Sequence, residues 1–290
     1  MKTLTAPNKF FSETMNWTPG WIWVEEPSMQ GDISELVEKA NLLIKSADTK
    51  QKVLELIEIY EGVLKIAPEN RDALMGIAWY SCLIGLGYAD EKGEKSKFFK
   101  KAITASERAM YLNPEFTRLI DQGKKVWEAC RVLSKDELDT LFLWNTSVSS
   151  LWKDCLKGHE KILNLKWVKR AKKMLSVMMD IDPEWGNGTP YYAWANYYAG
   201  APRIAGGDRK KAAEYYEKAI ALGPEMPNFR RTRALLLHAK NRDREALKQD
   251  LNWVLSQDPQ KDRQYFTYPY IVFLQREASD VLAHIDEYIQ

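Results

Sequence analysis

Residues 190–224 read PYYAWANYYAGAPRIAGGDRKKAAEYYEKAIALGP. The second half predicts an amphipathic helix that begins after a Gly-Gly-Asp turn, with Asp208 placed to accept from the free backbone N–H groups of its first turn. Gly223-Pro224 predicts its end, a left-handed glycine followed by a residue that cannot continue a helix. Between these signals Ala212, Tyr216 and Ala219 stand four and then three residues apart, on one face, and Pro224 follows five after Ala219. Small, aromatic, small, proline at these offsets is the second half of a tetratricopeptide repeat. The small residues let a neighbouring helix approach and the ring fills the groove between them, which is a packing demand and not a chemical one.

The same offsets recur outward from this unit, at Leu56, Tyr60, Val63 and Pro68; at Ala102, Ser106, Ala109 and Pro114; at Ala171, Leu175, Met178 and Pro183; and at Leu247, Leu251, Val254 and Pro259. Each set closes an apolar helix. Residues 32–290 are therefore expected to form one all-α, tetratricopeptide-like array of degenerate αα-hairpins. Asp32 is placed to cap a first helix, residues 50–67 form a second, and in residues 72–86 Leu74, Ile77, Ala78 and Ser81 share a face, as the first helix of a repeat requires. The 46 residues from Pro68 to Pro114 exceed the repeat length of about 34, so the helices, or the loop near residues 85–95, must be longer. The longer interval from Pro114 to Pro183 predicts an extra helix over 116–133. A long helix over 135–157 follows, opened by a Ser134–Glu137 capping box and striped by Leu141, Trp144, Val148, Leu151, Trp152 and Cys155. A turn at Gly158 leads into the next helix, and residues 271–289 close the array, with Asp286 and Glu287 on a polar outer side.

Residues 1–31 follow neither period, holding Pro7, Pro19, Gly20, Pro27 and Gly31 among Phe10, Phe11, Trp17, Trp21 and Trp23. Disordered tails are poor in rings, so an extended, aromatic-rich, non-helical arm is expected, docked on the helical body or a partner through Trp17, Trp21 and Trp23. Forty-two Lys plus Arg balance forty Asp plus Glu, without the basic excess of a nucleic-acid or anionic-membrane binder. The three cysteines, Cys82, Cys130 and Cys155, match no disulfide framework and no metal spacing, and read as buried thiols. No apolar run is long enough for a signal peptide or a membrane span.

Catalytic signatures are missing as well: there is no glycine-rich phosphate loop, no His-Glu-x-x-His and no Gly-x-Ser-x-Gly. His159, His238 and His284 are too scattered for a catalytic or metal cluster, so no catalytic residue, metal or cofactor is expected. The basic runs 166–173 and 230–233 read as solvated helix faces.

The segment from Leu138 to Pro259, with IDPEWGNGTPYYAWANYYAGAPRIAGGD and the AAEYYEKAIALGP helix, resembles the T component family of tripartite ATP-independent periplasmic (TRAP) transporters, and IAPENRDALMGIAW and ASERAMYLNPE extend the likeness back to about Glu55. The resemblance implies an all-helical, oligomeric accessory protein, without catalysis, that acts beside the transporter's solute-binding component. It also implies a periplasmic place, as members are exported and often lipidated. This sequence shows no leader or lipidated cysteine, and would be cytoplasmic if its N-terminus is native.

In a curved array the first helices of successive hairpins line the concave side. Trp79, Trp144, Asn145, Trp152, Tyr191, Trp194, Tyr198 and Arg203 are the candidate ligand-binding residues on these helices. Rings with one amide and one guanidinium suit a small organic acid, and the same rings would equally serve as inter-repeat core. Arg203 either caps the terminal carbonyls of its helix or holds a carboxylate. Two functions remain: an accessory ligand-handling protein of a solute uptake system, or an assembly protein that binds and stabilises another protein without a transport role. Both expect a protein partner and a homo-oligomer, and neither expects a nucleic acid.

Overall fold

A computed structural model describes residues 26–261 and 266–289, and every regular element among them is helical. The expected contacts of Trp17, Trp21 and Trp23 lie outside the described residues. Residues 26–31 carry no helix or strand, and the Ser28 and Met29 N–H groups both donate to Lys65 O, at 2.8 and 3.0 Å. The chain divides into two compact units, the first closing at Ile181 and the second formed by Ile44–Asp48 with the chain from Asp182 onward.

In the first unit α1 (Ser34–Ile44) follows Asp32, whose carboxylate accepts from the Ser34 N–H at 3.0 Å. Helices α2 (Lys50–Ile66), α3 (Arg71–Gly87) and α4 (Lys92–Tyr111) pack as successive hairpins. Thr49 caps α2, and Asn70 caps α3 by accepting from the Ala73 N–H at 2.9 Å. The extra length between Pro68 and Pro114 goes into the helices, since α3 has 17 residues and α4 has 20 with only residues 88–91 between them.

The expected helix over 116–133 is broken. It appears as α5 (Pro114–Asp121), a left-handed Gly123 with φ 88°, α6 (Val126–Ala129) and a 3-10 turn at Cys130–Val132. The Ser134–Glu137 capping box forms as expected, with Glu137 Oε2 accepting from the Ser134 N–H at 2.7 Å. It opens a 3-10 turn before α7 (Leu138–Ser150), and α7 unwinds into a π turn at Leu151–Cys155. The long helix over 135–157 is therefore shorter and irregular at both ends. Gly158 starts α8 (Gly158–Leu163), and α9 (Leu165–Ile181) packs on α7.

In the second unit α10 (Trp185–Gly200) pairs with α11 (Arg209–Leu222). Asp208 caps α11 as expected, accepting from Lys210 and Lys211 N–H at 2.9 and 3.2 Å. Gly223 is not left-handed. Its φ is −128°, and left-handed backbone in this unit occurs instead at Gly186, Asn187 and Gly188 at the start of α10, at Gly206 and at Arg242. Glycine is required at 223 for space, because a Cβ there would stand 2.5 Å from Asn187 O. The chain continues through α12 (Pro227–Arg233), a π turn at Ala234–His238, α13 (Ala239–Asn241) and α14 (Arg244–Leu255). It ends in α15 (Tyr268–Ala283) and α16 (Ile285–Tyr288), so the closing helix starts earlier than expected and breaks at His284.

The repeated offsets are core positions. Leu56, Val63, Ala102, Ser106, Ala109, Ala171, Leu175, Met178, Ala212, Tyr216, Ala219, Leu247, Leu251 and Val254 are all buried, and Tyr60 is half-buried with its ring 6.1 Å from that of Tyr80. Burying a side chain of leucine size contributes about 1.5–3 kcal/mol, and these positions supply it at each helix end. All three cysteines are free and buried. Burial pushes the Cys82 and Cys130 thiols up to about 12 and that of Cys155 up to about 11, away from reactive thiolate. Among the described residues no helix is long and apolar enough to cross a membrane.

Candidate functional site

The residues singled out in the first unit are held mainly by packing. Trp144 is fully buried on α7, its indole N–H donating to Glu107 Oε1 of α4 at 2.5 Å. Asn145 is buried beside it, and its Nδ2 donates to Ala171 O of α9 at 2.8 Å, so the amide ties two helices together. Trp152 is half-buried on the π turn, with its Nε1 donating to Lys161 O at 3.1 Å. Trp79 is half-buried on α3, its ring centroid 5.9 Å from that of Phe142.

The second unit brings its candidates together. Trp194 of α10 lies with its ring centroid 5.3 Å from Tyr198, 5.5 Å from Tyr197 and 6.4 Å from Tyr215 of α11. Tyr191 joins the group through Tyr215, at 5.8 Å, and Tyr198 and Tyr215 meet edge to face at 5.2 Å. Trp194 and Tyr197 are buried, whereas Tyr191, Tyr198 and Tyr215 are half-buried, so the cluster has a packed floor and an open edge. Two exposed lysines border it. Lys211 Nζ lies 5.7 Å from the Tyr198 ring, and Lys218 Nζ lies 5.4 Å from Tyr215 and 5.7 Å from Tyr191, in cation–π range. Burial, together with a hydrogen bond to Tyr215 and the nearby Asp208, raises the Tyr198 phenol above its ordinary value.

Tyr215, Lys211 and Lys218 were not among the residues expected at the site. Their signal was present, because 211, 215 and 218 repeat the four and three spacing that marks a helix face, one position before the core set 212, 216 and 219. In the adjacent pair Tyr215-Tyr216 one ring lines the outer cluster while the other is fully buried, its hydroxyl donating to Asn196 Oδ1 at 2.7 Å.

Arg203 sits in the 3-10 turn Arg203–Ala205 between α10 and α11, exposed, and none of the described residues accepts a hydrogen bond from its guanidinium. The last carbonyls of α10 are met by other donors. Asp208 N–H donates to Tyr198 O at 2.9 Å, Ala201 N–H to Tyr197 O at 2.8 Å and Lys240 Nζ to Ala199 O at 3.1 Å. The Tyr197 hydroxyl donates to Ala205 O and fastens the turn to the aromatic cluster.

The run 230–233 is not a solvated face. Arg233 grips the buried Asp250 of α14 with two hydrogen bonds of 2.7 Å, Arg230 and His238 Nε2 each approach the same carboxylate at 3.4 Å, and Arg231 pairs with Glu277 of α15. Burial would raise the Asp250 carboxyl, but hydrogen bonds from His238 and Arg233, with their charges, hold it below the ordinary carboxylate range. This ionic centre is structural: it locks α12 to α14 and α15.

No curated protein matches the chain. The profile of a family described as TRAP transporter T-component matches residues 86–289, well over half of the sequence, beginning inside α3 and running through the aromatic cluster, the ionic centre and the closing helices. The likeness first read from IDPEWGNGTPYYAWANYYAGAPRIAGGD and the helix after it thus extends over both units, and the chain belongs to the T-component family of TRAP transporters.

Proposed function

We propose that the protein is a non-enzymatic accessory of a TRAP-type solute uptake system, that its helical hairpins bind the solute-binding component, and that the cluster on α10 and α11 receives a small planar organic anion. The observation that carries the ligand reading is the grouping of Tyr191, Trp194, Tyr198 and Tyr215 under the ammonium groups of Lys211 and Lys218. Ring faces offer apolar cover, and the two cations attract a carboxylate. Arg203, exposed on the turn that Tyr197 fastens to this cluster, adds a further cation for the same ligand. A periplasmic place and a homo-oligomer go with this reading, as the family resemblance implies.

The test is calorimetric titration of the whole chain with benzoate, phenylacetate and indole-3-acetate. Binding that weakens about tenfold in Lys211→Ala/Lys218→Ala, with unchanged thermal stability, supports the ligand site. Equal affinities in wild type and variant remove it. The partner half is tested by mixing the protein with the purified solute-binding component of the same transporter, where failure to form a complex defeats it.

A further inference from the structure

Residues 166–173 of α9, KWVKRAKK, hold five cations and no acid, in a chain whose net charge is only +2. Lys166, Lys169, Arg170 and Lys173 fall within an arc of roughly 100° on the helix, flanked on the Arg170 side by the buried Trp167, Ala171, Met174 and Met178. The three lysines of that arc are exposed. Arg170 is held differently. Its guanidinium carbon lies 3.7 Å from the ring centroid of Trp127 and 4.3 Å from that of Trp167, in the angle between two indoles whose planes meet at 79°. The rings bracket the guanidinium from two sides, and none of the described residues accepts a hydrogen bond from it. Glu128 acts on it through charge, but that carboxylate already accepts from the Lys125 N–H at 3.0 Å.

Two further features lie close to these residues, one by its charge and one in sequence. Arg131, on the turn after α6, is exposed, and both it and Lys173 act electrostatically on the buried Cys130 thiol, so the positive charge continues from α9 onto that turn. Ile162 and Leu163, at the end of α8 and just before Lys166, are 75% and 59% exposed. A basic face with a ring-bracketed guanidinium beside an uncovered aliphatic pair has the make-up of a protein interface, in which arginine, tryptophan and apolar anchors carry most of the energy.

We infer that the Arg170 face of α9 is a docking surface for an acidic segment of a partner protein, one of whose carboxylates takes two parallel hydrogen bonds from the Arg170 guanidinium. Lys166, Lys169 and Lys173 steer that segment, and Ile162 and Leu163 cover its apolar flank. Free lysines alone would serve an anionic lipid surface, whose field is undirected. A guanidinium bracketed by two indoles matches the planar fork of a carboxylate. Only the identity of the partner, the solute-binding component, rests on the function proposed above.

The decisive experiment titrates the whole chain with an acetylated hexaglutamate peptide, followed by tryptophan fluorescence and calorimetry at low and physiological salt, beside phosphatidylglycerol vesicles. The peptide is expected to bind, with affinity about fivefold weaker in Arg170→Lys, where charge is kept and the fork is lost, and more than about tenfold weaker in Lys166→Glu/Lys169→Glu/Lys173→Glu. Circular dichroism should be unchanged in both variants. The inference is overturned if the peptide does not bind, if Arg170→Lys binds it as wild type does, or if vesicles bind and the peptide does not. The solute-binding component is the second probe. If it binds wild type and the triple variant alike, its assignment to this face is overturned while the proposed function stands. If it does not bind wild type at all, the partner half of the proposed function fails, and the peptide titration alone decides the acidic docking surface.

Discussion

The indole N–H of Trp144 on α7 donates to Glu107 Oε1 on α4 at 2.5 Å, with both side chains at 0% exposure. A polar pair at that depth joins α4 to α7 across the intervening α5 and α6, and places Trp144 in the core of the first unit. Trp144→Phe removes one donor from a buried acceptor and is expected to destabilise the protein by about 1–3 kcal/mol. Trp144→Ala, which also leaves a cavity, is expected to lose about 3–5 kcal/mol. Denaturant unfolding of the two variants measures this, and wild-type stability in Trp144→Ala would show the ring to be dispensable for packing.

The left-handed glycines separate strain from crowding. Gly123 has φ 88° with open space around it, so Gly123→Ala should lose only the conformational term, about 1–2 kcal/mol. Gly188 has φ 89°, and its Cβ would stand 2.9 Å from Leu222 Cβ, so Gly188→Ala should lose more than Gly123→Ala and loosen α10 from α11. Thermal melts of both variants, with tyrosine and tryptophan fluorescence reporting on the aromatic cluster, check the order.

Asp250 makes stability depend on pH in acid. Its folded-state carboxyl is held below the ordinary value of 3.8, so the stability it contributes is fully present above that value and is lost as pH falls through the lower folded one. Asp250→Asn should flatten this acid limb. At neutral pH the same variant takes from Arg233 its buried carboxylate and leaves it only the exposed Glu217, and should destabilise by up to about 3–5 kcal/mol. Chemical denaturation at several pH values between neutrality and 3 tests both signs, and an unchanged acid limb in the variant would falsify the assignment.

Arg203 offers a clean separation of roles. Its guanidinium is exposed and the end of α10 is capped by other donors, so Arg203→Ala should change stability by no more than about 0.5 kcal/mol. Any weakening of organic-acid binding in that variant then reports contact with ligand. A marked fall in melting temperature would assign the side chain to the fold.

The helical hairpins were legible because their signal is local. A face made by residues four and three apart, followed by proline, specifies where a helix buries itself and where it stops, and every such helix ends before its Pro68, Pro114, Pro183, Pro224 or Pro259. Caps at Asp208, Ser134 and Asp32 were legible for the same reason, since a side chain accepting from a backbone two or three residues ahead needs nothing distant. The break at Gly123 and the π turn at Leu151–Cys155 were not, because helical period alone does not register a left-handed glycine or one extra residue in a turn.

The partner of each exposed-looking side chain depended on the tertiary structure. In sequence, the run 230–233 and the run 166–173 are alike, strings of cations at helical spacing. In the folded chain the first is consumed by Asp250 and Glu277, brought from α14 and α15, while Lys166, Lys169 and Lys173 stay in solvent and Arg170 is set between Trp127 and Trp167. Trp144 and Trp194 were likewise equal candidates, and burial separates them only through what lies opposite: Glu107 in one case, Tyr198 and Tyr215 in the other. By itself the sequence determined that the chain would be all helical and where its helices turn, because those outcomes rest on backbone hydrogen bonding and the 3.6-residue period within a single segment. Which cations remain free and which rings remain open was decided only by the tertiary structure, because desolvation and charge pairing depend on groups that meet across long stretches of chain.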